Sequence, residues 1–438
     1  MRAFHSESLD QGAILRLGDS ADSAWQTIRI WEMWLLGPQT LWHMHVYPPL
    51  YDGIRFLLML PETLAGAPPT ALAVDKRLYW VSAVLFGLVA MIVYLWVRDL
   101  THNGWWALTA SGLWMLLPSS ISFMTILNQT GLAIAAMAVA FYFLYRFLRT
   151  RRNIYAAAFL AALLVASLTR NVVQIHVFLV LCIAVFAFYW IGRPRSWRYL
   201  IVYALLLGAI AFWPVRAYMM YSTFDVSTHT GYNRAGALWI HPRTVPEPQW
   251  PTNIEQNATL LSSGWNTQET LRDNYRLGSA ANAFMLSQPL TAAERMLDSA
   301  QVTWPVMFRS IFVQWENEFL FEYPLARPLD NVFSGASFQL LIAASILVLL
   351  ARVIVSRDYR IFWRYGWFAV FWVLTAAPVV LSNRHWPIEE MIPVHSEADR
   401  LRALIDLPLY VLMFFAAFTI TQWIRSARRT QPISEVTS

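Results

Sequence analysis

Long apolar stretches recur through this chain, and the arginines between them fall in clusters. A helix needs about 20 apolar residues to cross a hydrocarbon core of about 30 Å. Inside that core only a helix or a closed barrel can satisfy its own backbone. The pattern predicts an all-α polytopic membrane protein with about nine transmembrane helices, over 78–97, 105–126, 131–148, 154–168, 172–191, 199–220, 336–355, 364–381 and 404–424. The fourth segment is short and has to tilt, thin the bilayer locally or end below the surface. In the second, Pro118 predicts a kink or an early exit at Leu117, because proline cannot continue the hydrogen-bond ladder.

The arginines orient the bundle. Arg98, Arg146, Arg149, Arg151, Arg152, Arg193, Arg195, Arg198, Arg352, Arg357, Arg360, Arg364, Arg425, Arg428 and Arg429 all fall in short loops or tails on one side. The opposite short loops hold only Arg170, Arg384, Arg400 and Arg402. The positive-inside rule makes the richer side cytoplasmic. The chain then divides into an external segment 1–77, helices within 78–220, an external loop 221–335, further helices within 336–424 and a cytoplasmic tail 425–438. An external amino terminus lacks a preceding apolar anchor, so a further helix is expected upstream of Met1, or else an amphipathic anchor at 25–36.

With 57% hydrophobic residues, 14% charged residues and 22 tryptophans, the composition departs from that of a soluble domain in the direction of a membrane protein. The net charge of +6 therefore reflects topology, and nucleic acid is not an expected partner. Cys182, the only cysteine, allows neither a disulfide framework nor a cysteine-based metal site. Arginine outnumbers lysine 32 to 1, a bias associated with GC-rich bacterial genomes, so a bacterial inner (plasma) membrane is the expected location.

Most of the candidate chemistry lies on the external side. Asp19 and Asp22 precede an amphipathic stretch, Trp25 to Leu36, whose Trp31, Trp34 and Leu35 suit a bilayer interface. The aspartates are read either as helix caps or as functional carboxylates. His43, His45 and Tyr47-Pro48-Pro49-Leu50-Tyr51 follow, the prolines setting an extended turn. Near the carboxyl end, Asn383-Arg384-His385-Trp386, Glu389-Glu390 and His395 share one short loop. External arginines at helix ends either snorkel and pair with carboxylates or gather into an anion site.

In order and spacing these motifs resemble the GT-C glycosyltransferases of the protein O-mannosyltransferase and aminoarabinose-transferase type. The resemblance rests on Asp22 with Trp25, on Pro48-Pro49-Leu50-Tyr51, on Lys76-Arg77-Leu78, on Leu168-Thr169-Arg170 and on Arg400-Leu401-Arg402-Ala403-Leu404-Ile405-Asp406. It implies a GT-C-like bundle with external amphipathic helices and a large external loop, active on the external or periplasmic face. It implies a polyprenyl-phosphate sugar as donor and a hydroxyl acceptor on a glycan, lipid or protein. Asp22 is then the catalytic base, with Asp19 as the alternative. Arg77, Arg384, Arg400 and Arg402 are the donor-phosphate ligands, and His45, Tyr47, Gln129, His385 and His395 are candidate substrate contacts. Three departures stand out: Asn128-Gln129-Thr130 where many relatives carry a second carboxylate, Tyr47 where a basic residue or histidine often precedes the prolines, and Asn171 in place of a proline. The first leaves a bound divalent metal without support.

The chemistry suits these residue types. An alcohol attacking an anomeric carbon must lose a proton, and a positioned carboxylate that accepts it contributes about 10²–10⁴ in rate. The leaving phosphate needs charge stabilisation, which arginine's fork supplies. A single carboxylate fits one-step inversion better than a two-carboxylate retaining route. An O-antigen ligase or polymerase is the alternative enzyme, and a lipid or solute transporter the alternative class, although transporters place ionisable groups at the midplane and are often built from two related halves. The loop 221–335 is expected to act as a lid or acceptor-binding element, with a helix over 290–316 and no metal-spaced or phosphate-loop motif. The orientation is testable by substituting cysteine at Ser262 and Ser434 and treating intact cells with an impermeant thiol reagent. The loop position is expected to react and the tail position to stay protected; the reverse pattern would invert the topology.

Overall fold

A computed structural model of the 438-residue chain describes residues 27–45, 47–117, 120–121, 129–171, 173, 175–224, 227, 229–257, 267–307, 332, 335–357, 368–376 and 404–430. Among these the secondary structure is helical, without a strand. Three short helices come first: α1 (Ile30–Leu36), α2 (Gln39–His43) and α3 (Leu50–Leu64). The bundle follows as α4 (Ala71–Thr101), α5 (Gly104–Leu116), α6 (Gln129–Thr150), α7 (Asn153–Thr169), α8 (Ile175–Ile191) and α9 (Trp197–Tyr221). Next come α10 (His229–Ala237), α11 (Thr252–Asn257), α12 (Gln268–Ser287) and α13 (Pro289–Met307), and then α14 (Gly335–Ser356) and α15 (Asp406–Thr430).

Five of these, α4, α6, α9, α14 and α15, are long and apolar enough to cross a membrane. The molecule is therefore a helical membrane protein. The expected count of nine is not confirmed among the described residues. Helix α5 stops at Leu116, and Leu117 turns extended (φ −62°, ψ 128°) immediately before Pro118, the early exit that proline imposes on its predecessor. Helices α7 and α8 have 17 residues each, about 25 Å of rise. The segment 364–381 is described only as a helix over 368–376.

Local signals set the helix starts. Thr70 caps α4 by accepting from the Ala73 amide, and Asn103 caps α5 by accepting from Trp105 and Trp106. In the core, α6 and α7 form a closely packed hairpin. Both bury alanines, including Ala133, Ala136 and Ala140 on α6 and Ala156, Ala162 and Ala166 on α7. Small side chains let helix backbones approach closely where no hydrophobic effect drives association. Polar side chains add cross-links: Tyr410 Oη donates to the Ala110 carbonyl at 2.9 Å, and Ser111 Oγ to that of Ala90 at 2.8 Å.

The two ends of the bundle differ in chemistry. At one end Arg146 pairs with Asp99 at 2.9 Å and lies over the rings of Tyr142 and Tyr155, while Arg149 donates to the Asp99 carbonyl. The Arg193 amide donates to the Arg151 carbonyl beside them. The opposite end receives residues 27–64. Exposed tryptophans mark both levels: Trp105, Trp190 and Trp197 near the arginine-rich end, and Trp31, Trp34 and Trp42 near the other. Aromatic belts of this kind sit at membrane interfaces.

The segment between α9 and α14 carries a helical unit of its own. Met220 and Tyr221, at the end of α9, pack with Ile254 and Leu271, and Leu238, Ala281 and Ala292 form a second small core. Of the expected helix over 290–316, the part to Met307 is present in α13 and residues 308–316 lie outside the described ones; the sequence reading had not anticipated α12. Gly231 lets α10 lie against α12, where its amide donates to Asn274 Oδ1 at 2.6 Å. A β-carbon at Gly231 would collide with the Asn274 backbone carbonyl. Gly231→Ala is therefore expected to destabilise this unit by about 1–3 kcal/mol. Hydrogen exchange across α10 and α12 reads the loss, and wild-type protection in the variant would contradict the packing described.

Candidate functional site

The site candidate is a buried polar layer where residues 27–64 meet the bundle end opposite the arginine-rich turns. Pro49 takes the N-cap position of α3 (φ −83°, ψ −8°), so the Pro-Pro-Leu run starts a helix and is not the free extended turn expected. That start puts Tyr51, Asp52 and Arg55 on the inward face of α3, all buried. Arg55 Nη1 donates to Asp52 Oδ1 at 2.6 Å and to the Ile28 carbonyl at 2.7 Å, which ties the chain before α1 to α3. Asp75, on the first turns of α4, is also buried. The Tyr51 hydroxyl makes no hydrogen bond among the described residues. Burial pushes its phenol well above the ordinary value, Arg55 opposing and the charges of Asp52 and Asp75 reinforcing the shift.

Residues 42–45 and Tyr47 lie between the ends of α7 and α9. The Arg170 guanidinium, following α7, lies 6.0 Å from the Tyr47 ring centroid. The His45 ring meets Tyr221 edge-on at 5.6 Å. Arg216, on α9, donates from Nη1 to the Met44 carbonyl at 2.9 Å, and the Tyr221 hydroxyl donates to the His43 carbonyl at 2.8 Å. The Arg216 guanidinium is surrounded by the rings of Trp213 at 4.4 Å, Tyr221 at 5.1 Å and Trp42 at 5.6 Å.

Several residues singled out from the sequence gather here and others do not. His45, Tyr47 and Arg170 share the layer, and Gln129 is buried at the first turn of α6, at the same end of the bundle. Arg77 does not open a helix, because α4 begins at Ala71; it lies in the second turn and binds Glu62 of α3 through both terminal nitrogens. It also donates to the Leu58 carbonyl, so it clamps α3 to α4. Arg77 holds the Glu62 carboxyl below its ordinary range. To bind a phosphate, Arg77 would first have to leave Glu62. Asp19, Asp22, Arg384, Arg400, Arg402, His385 and His395 lie outside the described residues.

The sequence reading missed Asp52, Arg55, Asp75 and Arg216. A signal existed for two of these groups. Tyr51-Asp52 and Arg55 sit three or four residues apart after a helix-starting proline, which puts them on one helical face. Arg216 stands alone among the apolar residues of 199–220, and an ionisable residue inside such a segment marks function by default. Among the described residues no three or more His, Cys, Asp or Glu side chains gather into a group able to hold a metal ion.

Comparison of the chain with known protein families, with curated proteins and with solved structures finds no match. The layer's energetics can still be tested. Asp52→Ala strips Arg55 of a carboxylate partner in a buried setting, and a broken buried pair costs about 3–5 kcal/mol. Tyr51→Phe removes a hydroxyl that makes no hydrogen bond and is expected to change stability by less than about 1 kcal/mol or to raise it. Thermal unfolding in detergent distinguishes the two. Equal losses in both variants would contradict the arrangement.

Proposed function

We propose that this protein is an integral membrane glycosyltransferase of GT-C type. It transfers a sugar from a polyprenyl-phosphate donor to a hydroxyl acceptor on the external face by inverting displacement. One observation carries the reading: the ionisable residues Asp52, Arg55, Asp75, Arg170 and Arg216 are all buried at the bundle end opposite the arginine-rich turns. Buried charge is expensive and is retained where it does work, so the layer marks this end as the working one. The positive-inside rule makes it external.

In this reading the acceptor hydroxyl gives its proton to Asp22, with Asp19 as the alternative base, while the donor's anomeric C–O bond breaks toward phosphate. The phosphate leaves as an anion and needs cations close to its oxygens. Arg170 supplies one cation at the layer itself, and Arg384, Arg400 and Arg402 are the further ones the motif order nominates. His45 and Tyr47 border the same space and are the contacts for sugar or acceptor. The helical unit α10–α13, packed on the end of α9, is placed to shape the acceptor side.

Asp22→Asn separates the base from a helix cap, because asparagine caps about as well as aspartate yet accepts no proton. The variant is expected to fold and insert, and to transfer sugar from a lipid-linked donor about 10²-fold or more slowly. Wild-type turnover would remove Asp22 from the mechanism.

A further inference from the structure

Arg216 is a buried cation to which the transfer step assigns no role of its own. The residue is 3% exposed, and no carboxylate pairs with it among the described residues. Its recorded partners are the Met44 carbonyl at 2.9 Å, the Tyr221 hydroxyl at 3.5 Å and three aromatic rings. Among the described residues Nε has no hydrogen-bond partner. Neutral acceptors and ring faces orient a guanidinium and lower its desolvation cost, but they leave its full positive charge in place. A buried charge without a counter-ion is costly, and among the described residues this one has neither a counter-ion nor an acceptor at Nε.

Position indicates which anion would relieve it. Arg216 lies five residues before the last residue of α9, about 7.5 Å from that end, at the level of the aromatic belt formed by Trp31, Trp34 and Trp42. The outer face of α9 at this level carries Phe212, Val215 and Met219, all exposed, whereas Trp213, Arg216, Ala217 and Met220 face inward. Trp42 spans the border between the two faces. Its ring lies over Arg216, 6.1 Å from that of Phe212, and it is 47% exposed. That indole therefore stands between Arg216 and the apolar outer surface of the bundle.

We infer that Arg216, walled by Trp213 and Tyr221 and covered by Trp42, is a receptor for the phosphate group of a membrane lipid, reached laterally from the bilayer. The guanidinium fork takes two phosphate oxygens through Nε and Nη2, and Trp42 acts as the movable cover. Arg216 thereby offers a donor phosphate a cation already buried and free of Glu62, unlike Arg77. The inference rests on the transferase reading only for the choice of an isoprenoid probe.

The test uses the full chain purified in detergent, with binding of farnesyl phosphate followed by equilibrium dialysis and by thermal stabilisation. Farnesol and inorganic phosphate serve as separate arms. Saturable binding of farnesyl phosphate is expected, with no stabilisation by farnesol and at least about tenfold weaker binding of inorganic phosphate. Arg216→Gln is expected to lose about tenfold or more in affinity. Arg216→Lys keeps the charge but loses the fork, and at least threefold weaker binding is expected there; it gives the readout if the glutamine variant does not fold. Wild-type affinity in the folded glutamine variant, or in the lysine variant where the glutamine one fails to fold, overturns the site. Equal stabilisation by farnesol overturns the role of phosphate, and equal binding of inorganic phosphate overturns the lipid source. Sugar transfer plays no part in the readout, so failure here leaves the transferase reading standing, and loss of that reading leaves this site testable.

Discussion

Two donors near the end of α9 hold the carbonyls of two consecutive residues far away in the chain. Arg216 takes that of Met44 and Tyr221 that of His43, across separations of 172 and 178 residues. Both contacts are substantially buried, where an unmet carbonyl would be costly, so the segment before α3 is anchored in register against the bundle. The rest of the polar layer depends on that anchoring. It sets His45 against Tyr221 and Tyr47 against Arg170, and it delivers the chain to Pro49, where α3 begins and turns Asp52 and Arg55 inward.

The layer also joins charge chemistry to membrane geometry. Helix α4 rises about 46 Å over its 31 residues, more than a hydrocarbon core requires. Its first turns therefore stand clear of the core, and there α3 is strapped to it by the Arg77–Glu62 pair and by the packing of Tyr51 on Leu78 and Tyr79. Amphipathic helices at this level expose Trp31, Trp34, Leu35, Leu57 and Leu64. Such a belt suits an interface where one side of a helix meets lipid and the other meets buried charge.

Much of the architecture was legible because membrane helices announce themselves locally. The apolar runs, the exit at Leu117 before Pro118, the short fourth segment and the outward face of Trp31, Trp34 and Leu35 each follow from a few adjacent residues. The site was legible only in part. Arg170 at the end of a short helix and Tyr47 before the prolines were both read from the sequence, and they meet. Arg216 was passed over because its significance lies in what surrounds it, and Trp42 and Met44 come from the other end of the chain. Arg77 was read from its position alone, and its pairing with Glu62, fifteen residues earlier, was not visible there. Helix α12 escaped notice because its sequence is polar on average beside the apolar runs of the spans, and its partner α10 is short.

The central claim is that the bundle end carrying the buried charged layer handles a lipid-linked sugar. It is tested most directly by comparing cell-envelope glycans, by mass spectrometry, between cells that make this protein and otherwise identical cells that do not. The account predicts the loss of one sugar substituent from a glycan, lipid or protein, together with accumulation of the corresponding polyprenyl-phosphate sugar. An unchanged set of envelope glycans with no build-up of lipid-linked donor would contradict it.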